Sequence, residues 1–347
     1  ADVQCEGRGH RRDGTPARAG TGPGVAHCPE PPTRKGRALT TTEPGPTRTF
    51  SGIFDAVCAN VARAVHGKQD EIRLTVTCLV AHGHLLIEDV PGVGKTTLAK
   101  ALARSVQADF GRVQFTPDLL PSDVLGSSVW NQQANTFEFR PGPIFANLVL
   151  GDEINRASPK TQSALLEAMA EEQVTVDGTT YSLARPFMVI ATQNPIEHQG
   201  TFPLPESQLD RFLMRISVGY PSRDAELALL VEEGHDDRLD QLGPVASAQD
   251  VLAMGAAASR VHVAPALAAY LVELADRSRN SSVFALGMSP RAALGLLQAA
   301  RVWAASDGRD FVTPDDLKRL ARPVLAHRMV LAPDAQLRGT TAADAVA

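Results

Sequence analysis

The chain has 347 residues, a net charge of −5, 44% hydrophobic residues and 21% charged residues. That length suffices for two ordinary domains with a large buried core, and the balance is that of a soluble globular protein. The acidic sum argues against a globally basic nucleic-acid binder, and no stretch approaches the ~18 uncharged apolar residues of a membrane span.

Residues 1 to 48 are rich in Gly, Pro, Arg and Thr and have almost no aliphatic periodicity. A segment such as GTPARAGTGPGVAHCPEPPTRKG cannot bury enough apolar surface to offset chain entropy, so disorder is expected. It also lacks the apolar run of a secretory signal, which leaves a cytoplasmic protein as the expectation. Cys5, Cys28, Cys58 and Cys78 form no CxxC pair and no metal-ligand spacing with the histidines. They read as reduced thiols, with Cys58 and Cys78 in apolar helical patterns that point to the core.

Ordered sequence begins near Phe50. Apolar positions recur at helical spacing over 53–66 and 69–81. Leu85-Leu86-Ile87 reads as a short strand. It runs into EDVPGVGKTT and then the helical LAKALA. Further strands are expected at GRVQFT (111–116), ANLVLGDE (146–153), FMVIATQNP (187–195) and FLMRISVGYP (212–221). The third is apolar enough to be buried on both faces. Helical patterns separate most of these strands, notably SPKTQSALLEAMAEE, with Ser158 as N-cap and Pro159 in the first turn. The alternation argues for a parallel α/β sheet with helices on both faces. Two segments interrupt it as β-hairpins: 124–145, with Gln132 to Thr136 near its tip, and 171–187, with a tight Asp177-Gly178 turn. After Pro221 the pattern becomes helical and rich in Ala and Leu, with helix starts at Ser289-Pro290 and Thr313-Pro314. The expected organisation is a disordered tail (1–48), an α/β core (49–221), an all-helical lid (222–332) and a flexible tail (333–347).

The loop after the first strand carries the clearest chemistry. Bound phosphate needs backbone N–H groups, a helix N-terminus and a cation. Pro91, Gly92, Val93, Gly94, Lys95, Thr96 and Thr97 offer such a cradle. The glycines allow close backbone approach or the required φ, Lys95 can reach β and γ phosphates, and the Thr96 hydroxyl can ligate Mg²⁺. The full phosphate-loop pattern asks for glycine six positions before the lysine, where Asp89 stands. That position lies at the strand end, so its carboxylate should point away from the phosphate. Asp152-Glu153 closes the apolar strand LVLGDE: Asp152 would hold Mg²⁺, through water or directly, and Glu153 would polarise an attacking water. The plainer reading is two solvated carboxylates at a strand end. Asn194 ends VIATQNP, where its amide could orient that water or simply begin a turn with Pro195.

EDVPGVGKTTLA, LGDEINRASPKTQSALLEAMAEEQVTVDG, VIATQNPIEHQGTFPLPESQLDRFLMRI and GMSPRAALGLLQAAR together resemble the AAA+ ATPases of the MoxR type, of the helix-2-insert clade, over residues 50–332. The resemblance implies a P-loop NTPase core with a helical lid, ATP and Mg²⁺ as cofactors, and ATP hydrolysis. It implies Asn194 as sensor 1, Arg211 as an arginine finger reaching a neighbouring subunit's ATP, and Arg291 as sensor 2, contacting the γ-phosphate from the lid. It places Val65 to Gly67 near the adenine, with His66 where the family usually has an aliphatic residue. Without the family, Arg211 reads as an ion-pair partner of Asp210, Glu206 or another nearby acid. The resemblance further implies a hexameric ring that remodels, activates or matures a client protein. The usual partner carries a von Willebrand factor A domain, and the hairpins project toward the central channel. A motor acting on nucleic acid is the alternative. A helicase channel should carry a basic and aromatic stripe, and the NQQANT hairpin tip carries neither. A non-catalytic scaffold fits poorly with the full set Glu153, Asn194, Arg211 and Arg291. GTP is disfavoured by the lack of an Asn/Thr-Lys-x-Asp guanine motif.

Overall fold

A computed structural model of the chain describes residues 49–195, 200–223, 226–227 and 239–346. The expected disorder of residues 1–48, together with Cys5 and Cys28, falls outside the described residues.

The core opens with α1 (Phe50–Ala62) and α2 (Gln69–Val80). Thr49 caps α1, its hydroxyl accepting from the Gly52 N–H at 3.2 Å. Then follow β1 (Leu85–Glu88), α3 (Lys95–Ser105), β2 (Phe110–Gln114), α4 (Pro121–Leu125) and the strands β3 (Gly126–Asn131) and β4 (Thr136–Pro141). β5 (Leu148–Asp152), α5 (Pro159–Glu171), β6 (Gln173–Val176), β7 (Thr179–Ser182), β8 (Met188–Gln193), α6 (Glu206–Leu209) and β9 (Met214–Ile216) complete it. Five strands form one sheet in the order β2-β5-β8-β1-β9, every pair parallel. Each strand of this sheet is separated from the next by a helical crossover, which is what a parallel pairing requires.

The period of two sorts the strand residues between two apolar layers. Leu85, Ile87, Leu150 and Ile190 join one layer, with α1, α2 and α3. Leu86, Val149, Val189 and Ala191 face the other, with α5. All five residues of β5 are buried, so its sequence cannot alternate. From β1 the chain crosses to the far edge at β2, returns through β5 and β8, and then passes over β1 to β9. The crevice beyond the C-terminal ends of β1, β5 and β8 is therefore the topological switch point, where α/β sheets bind ligands. At the opposite end, buried His84 leads into β1. Its Nδ1 accepts from the Val189 N–H at 3.0 Å, so Nε2 donates to the Met169 carbonyl, also at 3.0 Å. Burial pushes this imidazole down to about 4 and keeps it neutral.

Both hairpins form as expected. β3 pairs with β4, and β6 pairs with β7 across Asp177 and Gly178, which both take positive φ. Phe139 of β4 stacks on Tyr181 of β7 with ring centroids 4.2 Å apart, which ties the two hairpins together. Cys58 and Cys78 sit in α1 and α2 as core thiols. Burial pushes Cys58 up to about 12 and raises Cys78 further, so neither is a reactive thiolate.

The lid comprises α7 (Ala248–Ala258), α8 (Pro265–Asn280), β10 (Phe284–Leu286), α9 (Pro290–Ser306), α10 (Pro314–Leu325), β11 (Val330–Leu331), α11 (Pro333–Leu337) and α12 (Ala342–Val346). Two expectations change here. β10 and β11 pair as an antiparallel ribbon in a lid expected to be all-helical; strands of three and two residues are too short to show a period. The stretch expected as a flexible tail after 332 instead holds α11 and α12. Ala332 donates to the Val283 carbonyl at 2.8 Å, and Ala335 is buried. The lid packs on the core through His327, whose Nε2 meets the Phe212 carbonyl at 2.9 Å, and through Arg328, which donates to the same carbonyl at 2.9 Å and to that of Asp210 at 3.2 Å. Among the described residues no helix is long and apolar enough to cross a membrane.

Asp316 anchors α10. It accepts from the Thr313 N–H at 2.8 Å and from both terminal nitrogens of Arg309 at 2.7 and 2.8 Å. Burial raises its carboxyl, but Arg309 and Thr313 more than reverse that, and the net shift is downward. We expect Asp316→Ala to cost about 2–4 kcal/mol, because it removes a cap and leaves Arg309 without its main partner; urea denaturation followed by circular dichroism measures this. We also expect the melting temperature to fall as pH drops from about 6.5 to 4, since unfolding lets His84 and His327 take up protons. His327 is held down to about 3 by burial. A flat melting temperature across that window would contradict both assignments.

Candidate functional site

The turn between β1 and α3 is built by two residues in the left-handed region, Gly92 at φ +84° and Gly94 at φ +86°. A Cβ added at either would meet nothing within 4 Å. The constraint on these glycines is therefore conformational, and the space around them is open. Gly94 caps α3, so the first N–H groups of that helix face the open space with the positive end of its dipole.

Asp89 turns away from this cradle, as its place at the strand end suggests. Its Oδ1 accepts from the Val90 N–H at 2.8 Å, and its Oδ2 accepts from the Ser217 hydroxyl at 3.1 Å and from the Gly219 N–H. The carboxylate thus ties the start of the loop to the segment following β9. Lys95 Nζ donates to the Asp89 carbonyl at 2.8 Å. Burial lowers the Lys95 ammonium, against the opposing pull of Asp89, Asp152 and Glu153.

A cavity of 340 Å³ opens on this loop. Its lining gathers Pro91, Gly92, Gly94, Lys95, Thr96 and Thr97 with Asp152, Glu153 and Asn194 from the ends of β5 and β8. Asp152 is buried, and Arg112 Nε donates to its Oδ2 at 2.8 Å. Glu153 takes φ +59°, ψ +50°, a costly backbone for glutamate. Its N–H is held by Thr192 Oγ1 at 2.9 Å, which steadies that conformation. Its Oε2 accepts from Gln114 at 2.9 Å and lies 3.2 Å from Arg156. A second cavity of 340 Å³ shares Gly92, Gly94 and Thr97 and is lined by Ala64, Val65, His66 and Lys68 on one side and Gly219 and Pro221 on the other. Gly67 lies within that stretch, though outside the lining itself. The two cavities adjoin through these shared residues of the loop and α3.

The family profile for "ATPase family associated with various cellular activities (AAA)" matches residues 84–214, and that for an AAA lid domain matches 276–347. Chaperone MoxR1 of Mycobacterium tuberculosis is 42% identical over 284 residues, covering 79% of this chain and 75% of that protein. The chain belongs to the MoxR family of AAA+ ATPases. Protein MoxR of Paracoccus denitrificans is 34% identical over 295 residues, covering 78% of this chain and 86% of its own. A crystal structure of a candidate ATPase from Cytophaga hutchinsonii superposes with a TM-score of 0.79 at 37% identity, over 86% of this chain and 93% of that one.

Within this MoxR-family chain the two outlying arginines stay away from the cavity. Arg211 precedes β9 and donates to the Leu166 carbonyl of α5 at 2.6 Å. Neither Asp210 nor Glu206 pairs with it among the contacts described; Asp210 Oδ1 instead lies 3.3 Å from Arg328 Nε. Arg291 is exposed at the second position of α9. Its charge acts on His84 and Arg328, and one turn further on a Cβ at Gly295 would stand 3.0 Å from both Arg328 and Leu213. His84 and Arg211 precede parallel strands whose far ends carry the loop. Arg211 therefore sits at the end of the sheet opposite the loop, and α9 reaches the same region at Gly295, beside Leu213 and Arg328.

Sequence reading did not single out Arg112, Gln114, Thr192 or Arg156. The available signal was in GRVQ: Arg112 and Gln114 are two apart on an otherwise apolar-type strand, which puts both on one face. What that face meets depends on β2 lying beside β5. We expect Asp89→Ala to lower stability by about 3 kcal/mol, through loss of its bonds to Val90, Ser217 and Gly219, and to weaken binding of a fluorescent nucleotide. An unchanged nucleotide affinity would show that the tie does not shape the loop.

Proposed function

We propose that this MoxR-type chain is an Mg²⁺-dependent ATP hydrolase that works as a hexameric ring in the cytoplasm and remodels or matures a client protein. The observation that carries the reading is the convergence of Lys95, Thr96, Asp152, Glu153 and Asn194 on one cavity at the head of α3. The backbone of Gly92 to Thr97 would hold the phosphates, Thr96 and Asp152 would hold Mg²⁺, and the pocket around Val65, His66 and Gly67 would take the base. Bound Mg²⁺ draws charge from the phosphate oxygens and makes the terminal group easier to attack. Glu153 accepts a proton from the attacking water once it leaves Gln114, and Asn194 orients that water.

Neither Arg211 nor Arg291 lines the cavity of its own chain, and on this reading each serves the cavity of a neighbouring protomer. Chemistry completed across an interface couples hydrolysis to assembly. The core (49–221) and lid (222–332) act as one unit in this scheme, since Arg328 and His327 fix the lid to the residues around Arg211. The client side is read from the hairpins. The turn of the first, Gln132 to Asn135, has no aromatic, but the second rung beneath it pairs exposed Trp130 and Phe137 with centroids 5.0 Å apart. A partner carrying a von Willebrand factor A domain would present the client there.

We expect Glu153→Gln to keep ATP affinity within about twofold and to reduce turnover at least ~10²-fold; equal loss of both would make the residue structural. Arg211→Ala should lose about 10³ in rate, and mixing it with Lys95→Ala should restore part of the activity, because each subunit lends what the other lacks. Arg291→Ala should behave the same way in mixtures. No recovery at any ratio would sink the shared-site reading.

A further inference from the structure

Among the described residues two cations line the phosphate cavity, Lys95 and Arg112. Lys95 is held by the Asp89 carbonyl. Arg112 is held by Asp152, the carboxylate that on the reading above must take the divalent cation. The two partners differ in freedom: the Asp152 side chain is 10% exposed, whereas that of Arg112 is 49% exposed. The carboxylate is fixed at the end of a buried strand, and the guanidinium can leave for solvent. Thr192 approaches the other carboxylate oxygen only at 3.4 Å, so Arg112 supplies the strong interaction. A buried carboxylate without a cation is costly, which explains why a half-exposed arginine from the next strand is drawn onto it. A divalent cation held by Asp152, directly or through its bound water, would take up the carboxylate charge that Arg112 now satisfies.

We propose that Arg112 is the resident counterion of Asp152 and that the divalent cation displaces it when metal and nucleotide are both bound. Arg112 is thus a positioning residue acting through Asp152, and the inference rests on the nucleotide-site reading. It makes two demands of opposite sign. Without metal, Arg112 cancels a negative charge that would otherwise repel the phosphates, so it favours nucleotide binding. With metal, Arg112 competes for the carboxylate, so it raises the metal concentration required.

The test uses the full chain, a fluorescent ADP analogue, and Mg²⁺ titrated from a chelated baseline. For Arg112→Gln we expect affinity for metal-free ADP to fall about fivefold, and the Mg²⁺ concentration giving half the metal effect to fall about fivefold as well. Arg112→Lys, which keeps a cation in reach, should stay near wild type in metal-free ADP affinity, and it serves as the second variant if glutamine disturbs folding. In an Asp152→Asn background, replacing Arg112 should no longer move the Mg²⁺ midpoint. Wild-type ADP binding with an Arg112→Gln midpoint that is unchanged or raised would overturn the proposal. A wild-type chain that binds no ADP with or without Mg²⁺ would overturn the nucleotide site itself, and this assignment with it.

Discussion

The site depends on one carboxylate that never touches the ligand space. Asp89 closes β1 by bonding the next residue's N–H and the two groups after β9. That tie sets where the chain leaves the sheet, and so where Gly92 and Gly94 can turn into α3. A glycine at this position would permit the same turn but would not attach it to the neighbouring strand. Here the stiffness comes from a charge-assisted bond network, which is stronger than its neutral counterparts.

A second set of polar contacts holds the catalytic carboxylates in waiting. Arg112 and Gln114, two residues apart on β2, reach Asp152 at the end of β5 and Glu153 just after it. Thr192 of β8 holds the strained backbone of Glu153 from the other side. Three adjacent parallel strands thus converge on one pair of acids. Strain of this kind at Glu153 is tolerated because the flanking hydrogen bonds over-determine it.

Much of the fold was legible in the sequence, for reasons local to each element. Leu85-Leu86-Ile87 and VLGD are apolar runs bounded by turns. Ser158-Pro159, Ser289-Pro290 and Thr313-Pro314 state helix starts outright, and each observed helix begins at the proline. The Asp177-Gly178 hairpin is equally local. The lid ribbon of β10 and β11 was not legible, because two-residue and three-residue strands carry no period. The ordered α11 and α12 were missed because their stability comes from contacts with Val283 and α10, and such contacts have no local signature. In the site, the phosphate loop and Asp152-Glu153 were readable as motifs, whereas Arg112 and Gln114 were not, since their role depends on a strand neighbour some forty residues away.

The sequence by itself determined the core strands, the long helices, the loop chemistry and the family, because turn residues, caps and glycine positions act within a few residues of chain. Only the tertiary structure decided which side chains share a cavity. Sheet order placed β2 beside β5 and so brought Arg112 onto Asp152. Parallel strand direction sent Arg211 to the end opposite the loop. Both outcomes follow from hydrogen-bond pairing between strands distant in sequence, and no local pattern encodes that pairing.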